Sequence, residues 1–313
     1  MLEGIIIVVV ASLIAVVIIG VIRYINKKEE VILLPSRISM SQDDFPEFVK
    51  SLRRIINNRF HRILIDFSQV TNLDYESYVV IVAQAEKAFY KDKNVAIYRI
   101  PNTRKVRNII FGKNSNHKVY HQNNPFPSLN SEYYLKDDQI TPQITERIEK
   151  ELRKIGVKDY YEFNTMVAEL VGNAIEHGIR HRNINWWMYH YMDNKPRTVR
   201  FVFVDMGKGI IDSYRKAGLP KQYQRMGDDD ILLLALKGVL GSSTKEPNRG
   251  RGLPQIRDMV EKSFISDFVL ITNAVSLRYQ NGTFEQNKHQ NFVGTYYSWT
   301  ISKENFNLWR DRI

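Results

Sequence analysis

The chain has 313 residues, enough for two domains of ordinary size, and 43% of them are apolar, which excludes wholesale disorder. It contains no cysteine, so disulfides, thiolate metal sites and cysteine nucleophiles are excluded together. A net charge of +11 suits an anionic membrane surface, nucleic acid or an acidic partner, but neither a dense basic run nor a metal-ligand spacing among the seven histidines is present to favour nucleic acid or zinc.

The first element is apolar. Leu2 to Ile22 is nearly all apolar, and Ile5 to Ile22 carries no charge. As a helix it would be about 27 Å long, close to the hydrocarbon thickness of a bilayer. A cleaved signal peptide would open on basic residues and end at a small-residue site. Here the chain opens Met1-Leu2-Glu3, and Arg23, Lys27 and Lys28 follow the run. The expectation is a single-pass anchor over residues 1–24, inserted through residues 2–22. It would sit in a bacterial-type inner membrane, with everything after residue 23 in the cytoplasm. A buried core helix is the competing reading.

Residues 30–122 alternate short apolar runs with amphipathic stretches. Strands are expected at 31–34, 62–67 and 95–98, and helices at 45–56, 77–90 and 103–111. Phe45, Phe48, Leu52 and Ile55 share one helical face. Strands alternating with helices argue for a sheet covered by helices. Ile63-Leu-Ile-Asp66-Phe67, then Val70-Thr-Asn-Leu-Asp74, a helix, and Asn94-Val-Ala-Ile together resemble a STAS domain, the α/β module of anti-sigma-factor antagonists. Those antagonists carry Asp-Ser-Ser-Gly where this chain reads Asp74-Tyr75-Glu76-Ser77. Glu76 falls on the phosphoacceptor position, where a carboxylate carries about half the charge of a phosphoserine. Glu76 is equally readable as a first-turn acid favoured by the helix dipole. Ser77 becomes an acceptor if the register slips by one.

Residues 123–138, rich in Pro, Asn and Ser, read as a linker. The second domain is expected over 139–303, followed by a tail at 304–313. Helices are expected at 140–155, 159–177, 228–240 and 253–262, and strands at 186–191, 200–204, 268–272, 276–279 and 292–301. This order fits an α/β sandwich, a mixed sheet with helices on one face.

Three segments of this domain carry chemistry. Glu169 and Asn173 stand one turn apart on one helix face. They suit Mg²⁺, which takes few protein oxygens and keeps water and phosphate ligands, and they equally suit a hydrogen-bonded surface pair. Asp205-Met-Gly207-Lys-Gly209 follows an apolar strand; an acid there can accept a hydrogen bond from an adenine amino group, and glycines allow close backbone approach. A plain strand-to-loop turn also favours Asp and Gly. Gly250-Arg251-Gly252-Leu253 opens a helix, a ready anion site, with Lys245, Arg249 and Arg251 as cations nearby. A flexible Gly-Arg loop is the simpler reading.

In this order the segments resemble the GHKL superfamily of gyrase and the histidine kinases. The Glu169–Asn173 helix is similar to its N box. Asp205, Gly207 and Gly209 resemble the first glycine box, and Gly250, Gly252 and Leu253 the second. Gly294-Thr295 resembles the threonine element on the adenine side. The resemblance implies an ATP site in which Asn173 holds Mg²⁺ and Asp205 the adenine. Gly207 and Gly209 would shape the pocket, residues 250–253 would touch phosphates, and residues 210–249 would form a mobile lid.

Within the superfamily, Ala168 to Gly178 is most similar to the anti-sigma-factor serine kinases, whose substrates are STAS proteins. His117 and His121 sit in a loop-like stretch, which argues against a phosphoacceptor histidine. The leading expectation is therefore a membrane-anchored ATP-dependent serine/threonine kinase or ATPase acting on a STAS-type or other regulatory partner. Glu169 would be its general base. An ATP-gated interaction or dimerisation clamp with slow or no hydrolysis is the alternative, since many members of the superfamily are dimers. A scaffold with a degenerate pocket is a weaker third reading.

Overall fold

In the first domain, short apolar strands alternate with helices; those over 45–56 and 104–111 are amphipathic, whereas the one over 75–89 is buried nearly all round between two sheets. A computed structural model of the chain describes residues 14–20, 29–40, 43–89, 91, 93–111, 134–135, 142–158, 161–177, 186–193, 195–241 and 252–311. Of the expected anchor only α1 (residues 14–20) is described, with Ile14, Val16, Val17, Ile18 and Ile19 exposed. Among the described residues no helix is long and apolar enough to cross a membrane.

The first domain runs β1 (Glu29–Leu33), β2 (Arg37–Ile38), α2 (Phe45–Ile56), β3 (Arg62–Asp66), β4 (Asn72–Leu73), α3 (Tyr75–Phe89), β5 (Asn94–Arg99) and α4 (Arg104–Phe111). β1, β3 and β5 form a parallel sheet in that order, and β2 pairs with β4. α2 has the bounds that its apolar spacing predicts, and it buries Phe45, Phe48, Leu52 and Ile55.

The second domain contains β6 (Tyr134–Leu135), α5 (Pro142–Lys154), α6 (Tyr161–His177), β7 (Trp186–Met192), β8 (Thr198–Asp205), α7 (Ile210–Ala217), α8 (Asp228–Leu236), α9 (Gly252–Glu261), β9 (Ser266–Gln280), β10 (Thr283–Ser302) and α10 (Lys303–Arg310). Its strands lie in the order β6-β7-β8-β10-β9. The chain is thus an α/β protein, but this sheet is not mixed: every pairing among its described strands is antiparallel.

The domain boundaries also shift. β6 pairs with β7, so part of the expected linker belongs to the sheet. The two strands expected at 268–279 are one, and it turns back into β10 through Asn281-Gly282. Both turn residues have positive φ, as a two-residue hairpin turn of the right twist requires. The expected tail is α10, capped by the Ser302 side chain, which accepts from the Asn305 amide at 3.0 Å. Phe306 and Trp309 pack it against Phe264.

The sheet is covered on both faces. On one face Phe201, Phe203, Tyr297 and Trp299 join the apolar sides of α5 to α10. On the other, Trp187, Tyr189, Val202, Val204, Ile271 and Tyr296 share a core with α2, α3 and the first domain's sheet. The result is four layers, helix–sheet–helix–sheet, in place of a sandwich with one bare face. This explains the near-continuous apolar sequence of β7 and β8, which a sheet open to water on one side would break by alternation.

At the centre of this interface sits Glu76. One of its carboxylate oxygens accepts from Arg200 Nε at 2.7 Å and the other from the Tyr296 hydroxyl at 2.6 Å. The Tyr191 hydroxyl approaches at 3.4 Å. Arg200 is satisfied at its other nitrogens by Thr300, Ser298 and the Asp267 carbonyl. Tyr75 adds rings against Tyr189 and Tyr191, and Glu86 accepts from Trp187 Nε1 at 2.7 Å. Burial, with Glu76 beside them, holds the Tyr191 and Tyr296 hydroxyls protonated well above the ordinary tyrosine range. Ser77 is fully buried, and its amide donates to Asp74, so it is closed to any kinase in this fold.

Removing one partner of this enclosed pair leaves the other charge stranded. Glu76→Ala and Arg200→Met should each lower unfolding free energy by roughly 2–4 kcal/mol. In urea melts the double variant should cost clearly less than the sum of the two. Additive losses would mean that the two side chains do not act as a pair.

Candidate functional site

β8 ends at Asp205, whose side chain alternates onto the same sheet face as Phe201 and Phe203. Thr295 on β10 is its cross-strand neighbour, and Thr272 on β9 is the neighbour of Thr295 beyond it. The three polar residues therefore line up across the sheet at one end. Between Phe292 and Thr295 the ladder shifts register. Gly294 has φ +95°, and a side chain there would strike the Asp205 carbonyl, so only glycine lets the strands close at this point.

Asp205 Oδ1 accepts from the Gly207 amide at 2.8 Å, which turns the loop out of the strand. Burial pushes its carboxyl up to about 6, against hydrogen bonds from Gly207 and Thr295 that act the other way. The loop is held from β9. Thr272 Oγ1 accepts from the Ile210 amide at 2.9 Å, and Asn273 Oδ1 from the Ile211 amide at 3.1 Å. Asn273 Nδ2 donates to the Lys208 carbonyl at 3.0 Å. These bonds cap the start of α7, and Gly209 leaves the room that the Asn273 amide fills.

The second group lies on α6. Glu169 and Asn173 project from it on one face, both half-buried. The first residue of α9, Gly252, packs directly against them. A Cβ there would stand 2.9 Å from Glu169 Cβ, 3.1 Å from its Oε2 and 3.4 Å from Asn173 Nδ2. Leu253, the next residue, enters the core. No described atom lies within 4 Å of where a Cβ on Gly172 would stand. A mid-helix glycine costs about 1 kcal/mol relative to alanine, and nothing among the described residues requires one here. Open space beside a glycine fits the close approach of something other than the chain.

Both groups sit at one end of the sheet. After α6 the chain re-enters the sheet at Trp186, opposite Asp205. After α9 it enters β9 at Ser266, opposite Thr300 at the far end, so the start of α9 lies toward Asp205. Gln255 reaches back to Glu162, as an α9 antiparallel to α6 requires.

Of the expected site residues, Glu169, Asn173 and Gly252 are in contact, and Asp205, Gly207 and Thr295 form a second contact group. Lys245, Arg249, Gly250 and Arg251 lie outside the described residues. The expected lid shrinks. α7 and α8 bury Ile211, Ile231, Leu232 and Leu236 in the core, so residues 210–241 are not a free flap. Among the described residues no cluster of three or more acidic or His ligands occurs. Glu169 and Asn173 are a ligand set only for an ion that brings most of its own oxygens, such as Mg²⁺ with phosphate.

Thr272, Asn273 and Lys87 are additions. The polar pair Thr272-Asn273 inside an apolar strand was the available signal for the first two. Lys87 is buried at the end of α3; burial, and Lys91 beside it, lower its amine to about 8 against the pull of Asp205.

The raised Asp205 carboxyl predicts opposite pH trends. Its ionised form costs the folded state above about pH 6, and that cost fades as pH falls through 6 toward 4. Its full acceptor capacity is lost over the same interval. Asp205→Asn should therefore stabilise the ligand-free chain at pH 8 by on the order of 1–3 kcal/mol, and by about half as much at pH 5, in thermal melts. An equal effect at both pH values would show that Asp205 is not the group titrating. No family model matches this chain and no curated protein matches it, so the site stands on its own geometry.

Proposed function

We propose that the chain is an ATP-binding signalling protein with a GHKL-type kinase or ATPase domain, and that the Glu169–Asn173–Gly252 contact is its phosphate end. The carrying observation is that contact: a carboxylate and an amide on one helix, closed by a glycine at the start of another, beside the open flank of Gly172. ATP and Mg²⁺ fit the donor set. Asn173 would hold the ion, the start of α9 would face the phosphates, and Asp205 with Thr295 would receive the adenine edge. Bound Mg²⁺ would supply charge neutralisation at the phosphates. Glu169 would take the proton from an attacking hydroxyl or water at its carboxylate oxygen, a step worth about two to four orders of magnitude.

The acceptor would be a separate protein. Ser77 is buried and Glu76 is bound to Arg200, so the first domain serves as a fixed layer and not as an internal substrate. The same observation favours a second reading, an ATP-gated interaction or dimerisation clamp, which needs no acceptor. Under both readings the chain is held at a membrane through residues 2–22.

The test uses the full chain with Mg²⁺ and γ-labelled ATP, alone and with lysate of its own cell. Label on a protein, lost in Asn173→Ala and in Glu169→Ala while Glu169→Ala still binds ATP, is the expected result for the kinase. Release only as phosphate, or nucleotide-dependent dimerisation without turnover, would select the clamp. ATP that fails to bind the wild-type chain, or that binds Gly252→Val equally well, would overturn the site.

A further inference from the structure

The parallel strands of the first domain start in register, Glu29 beside Arg62 and Arg62 beside Asn94. The segment leading in from α1, the loop between α2 and β3 and the turn between α3 and β5 therefore share one end of the domain. This end is basic. The last turn of α2 and the loop after it bring Arg53, Arg54, Arg59 and Arg62, and the turn before β5 brings Lys91 and Lys93. All except Lys93 are exposed. Against them stand Glu30, 2.8 Å from Arg54, and Glu29, 3.0 Å from Arg62, with Asp92 between the two lysines in sequence.

Two aromatic rings accompany the charges. Phe89 is 46% exposed at the end of α3, and the Arg59 guanidinium lies 5.1 Å from the Phe60 ring centroid. A helix C-terminus attracts cations, which accounts for Arg53 and Arg54. It accounts for neither Arg59 nor Lys91. The opposite end of the sheet also carries cations, Arg37 and Arg99 paired with Asp44 and Asp66 and the exposed Arg104 and Lys105 at the start of α4, so the two ends differ in the tether to α1 and not in charge alone.

We propose that this end of the first domain rests on an anionic lipid surface, with Arg53, Arg59 and Lys91 among the headgroups and Phe89 in the interface. The inference rests on reading residues 2–22 as a membrane anchor. The exposed apolar residues of α1 are joined to β1 through residues 21–28 alone, which span at most about 28 Å. That tether keeps this end close to wherever α1 inserts. Cations and an aromatic ring at that height match the composition of a membrane interface.

The chain has no cysteine, so Asn57→Cys at the basic end and Asn102→Cys at the opposite end each give one dye site. Each full-length chain is reconstituted into phosphatidylcholine vesicles carrying a lipid-borne quencher, with and without phosphatidylserine. The dye at residue 57 should be quenched about threefold more with phosphatidylserine, an excess lost on Arg53→Glu/Arg59→Glu/Lys91→Glu and reduced by Phe89→Ser. The dye at 102 should not respond. Equal quenching with and without phosphatidylserine, or quenching at 102 in place of 57, would overturn the proposal and leave the anchor standing. A chain that stays out of every vesicle would overturn both.

Discussion

The enclosed carboxylate–guanidinium pair of Glu76 and Arg200 sets the terms for the rest of the molecule. Burying two charges between layers costs more than their attraction returns unless every remaining donor is met. Here Tyr296, Thr300, Ser298 and the Asp267 carbonyl meet them. Such a network tolerates one docking geometry. The apolar core around it, from Ile32 to Tyr296, supplies the driving force, and the charged pair supplies the orientation. The first domain is consequently the lower half of the second domain's sheet and not a detachable module.

The same strands carry the candidate site. Arg200 and Asp205 lie on β8, and Tyr296 and Thr295 are successive residues of β10 with side chains on opposite faces. One face of these strands is gripped by α3, and the other presents Asp205 and Thr295. The Gly294 close approach and the Thr272-Asn273 bonds to the α7 start leave that presenting end little freedom. The Glu169–Asn173–Gly252 contact stands over the same end, carried by helices whose apolar sides are anchored in the opposite core.

Glu76 shows how a charge expected to act in regulation can serve packing instead. Alignment to the phosphoacceptor position identified the residue, and its negative charge is what the structure uses. The charge meets an arginine on a distant strand, however, and Ser77 beside it is sealed in the core. The lid expectation, over residues 210–249, is cut back for residues 210–241, while residues 242–249 lie outside the described residues. Residues 210–241 carry the apolar run Ile231 to Leu236, and the core takes up Ile211, Ile231, Leu232 and Leu236 from this segment.

What the sequence by itself determined is what depends on near neighbours. The bounds of α2 follow from an apolar stripe at helical spacing, and the Glu169–Asn173 pairing follows from one helical turn. The end of β8 at Asp205-Met-Gly follows from apolar residues giving way to turn formers. Asn281-Gly282 spelled out a hairpin, and Ser302 with Phe306 and Trp309 spelled out a final helix, although neither was read. Only the tertiary structure decided that the large sheet is antiparallel and covered on both faces, that Gly252 closes on Glu169, and that Glu76 meets Arg200. The Gly252–Glu169 and Glu76–Arg200 contacts join residues 83 and 124 positions apart. They are set by which apolar faces find each other when the layers stack, and local periodicity carries no record of that choice.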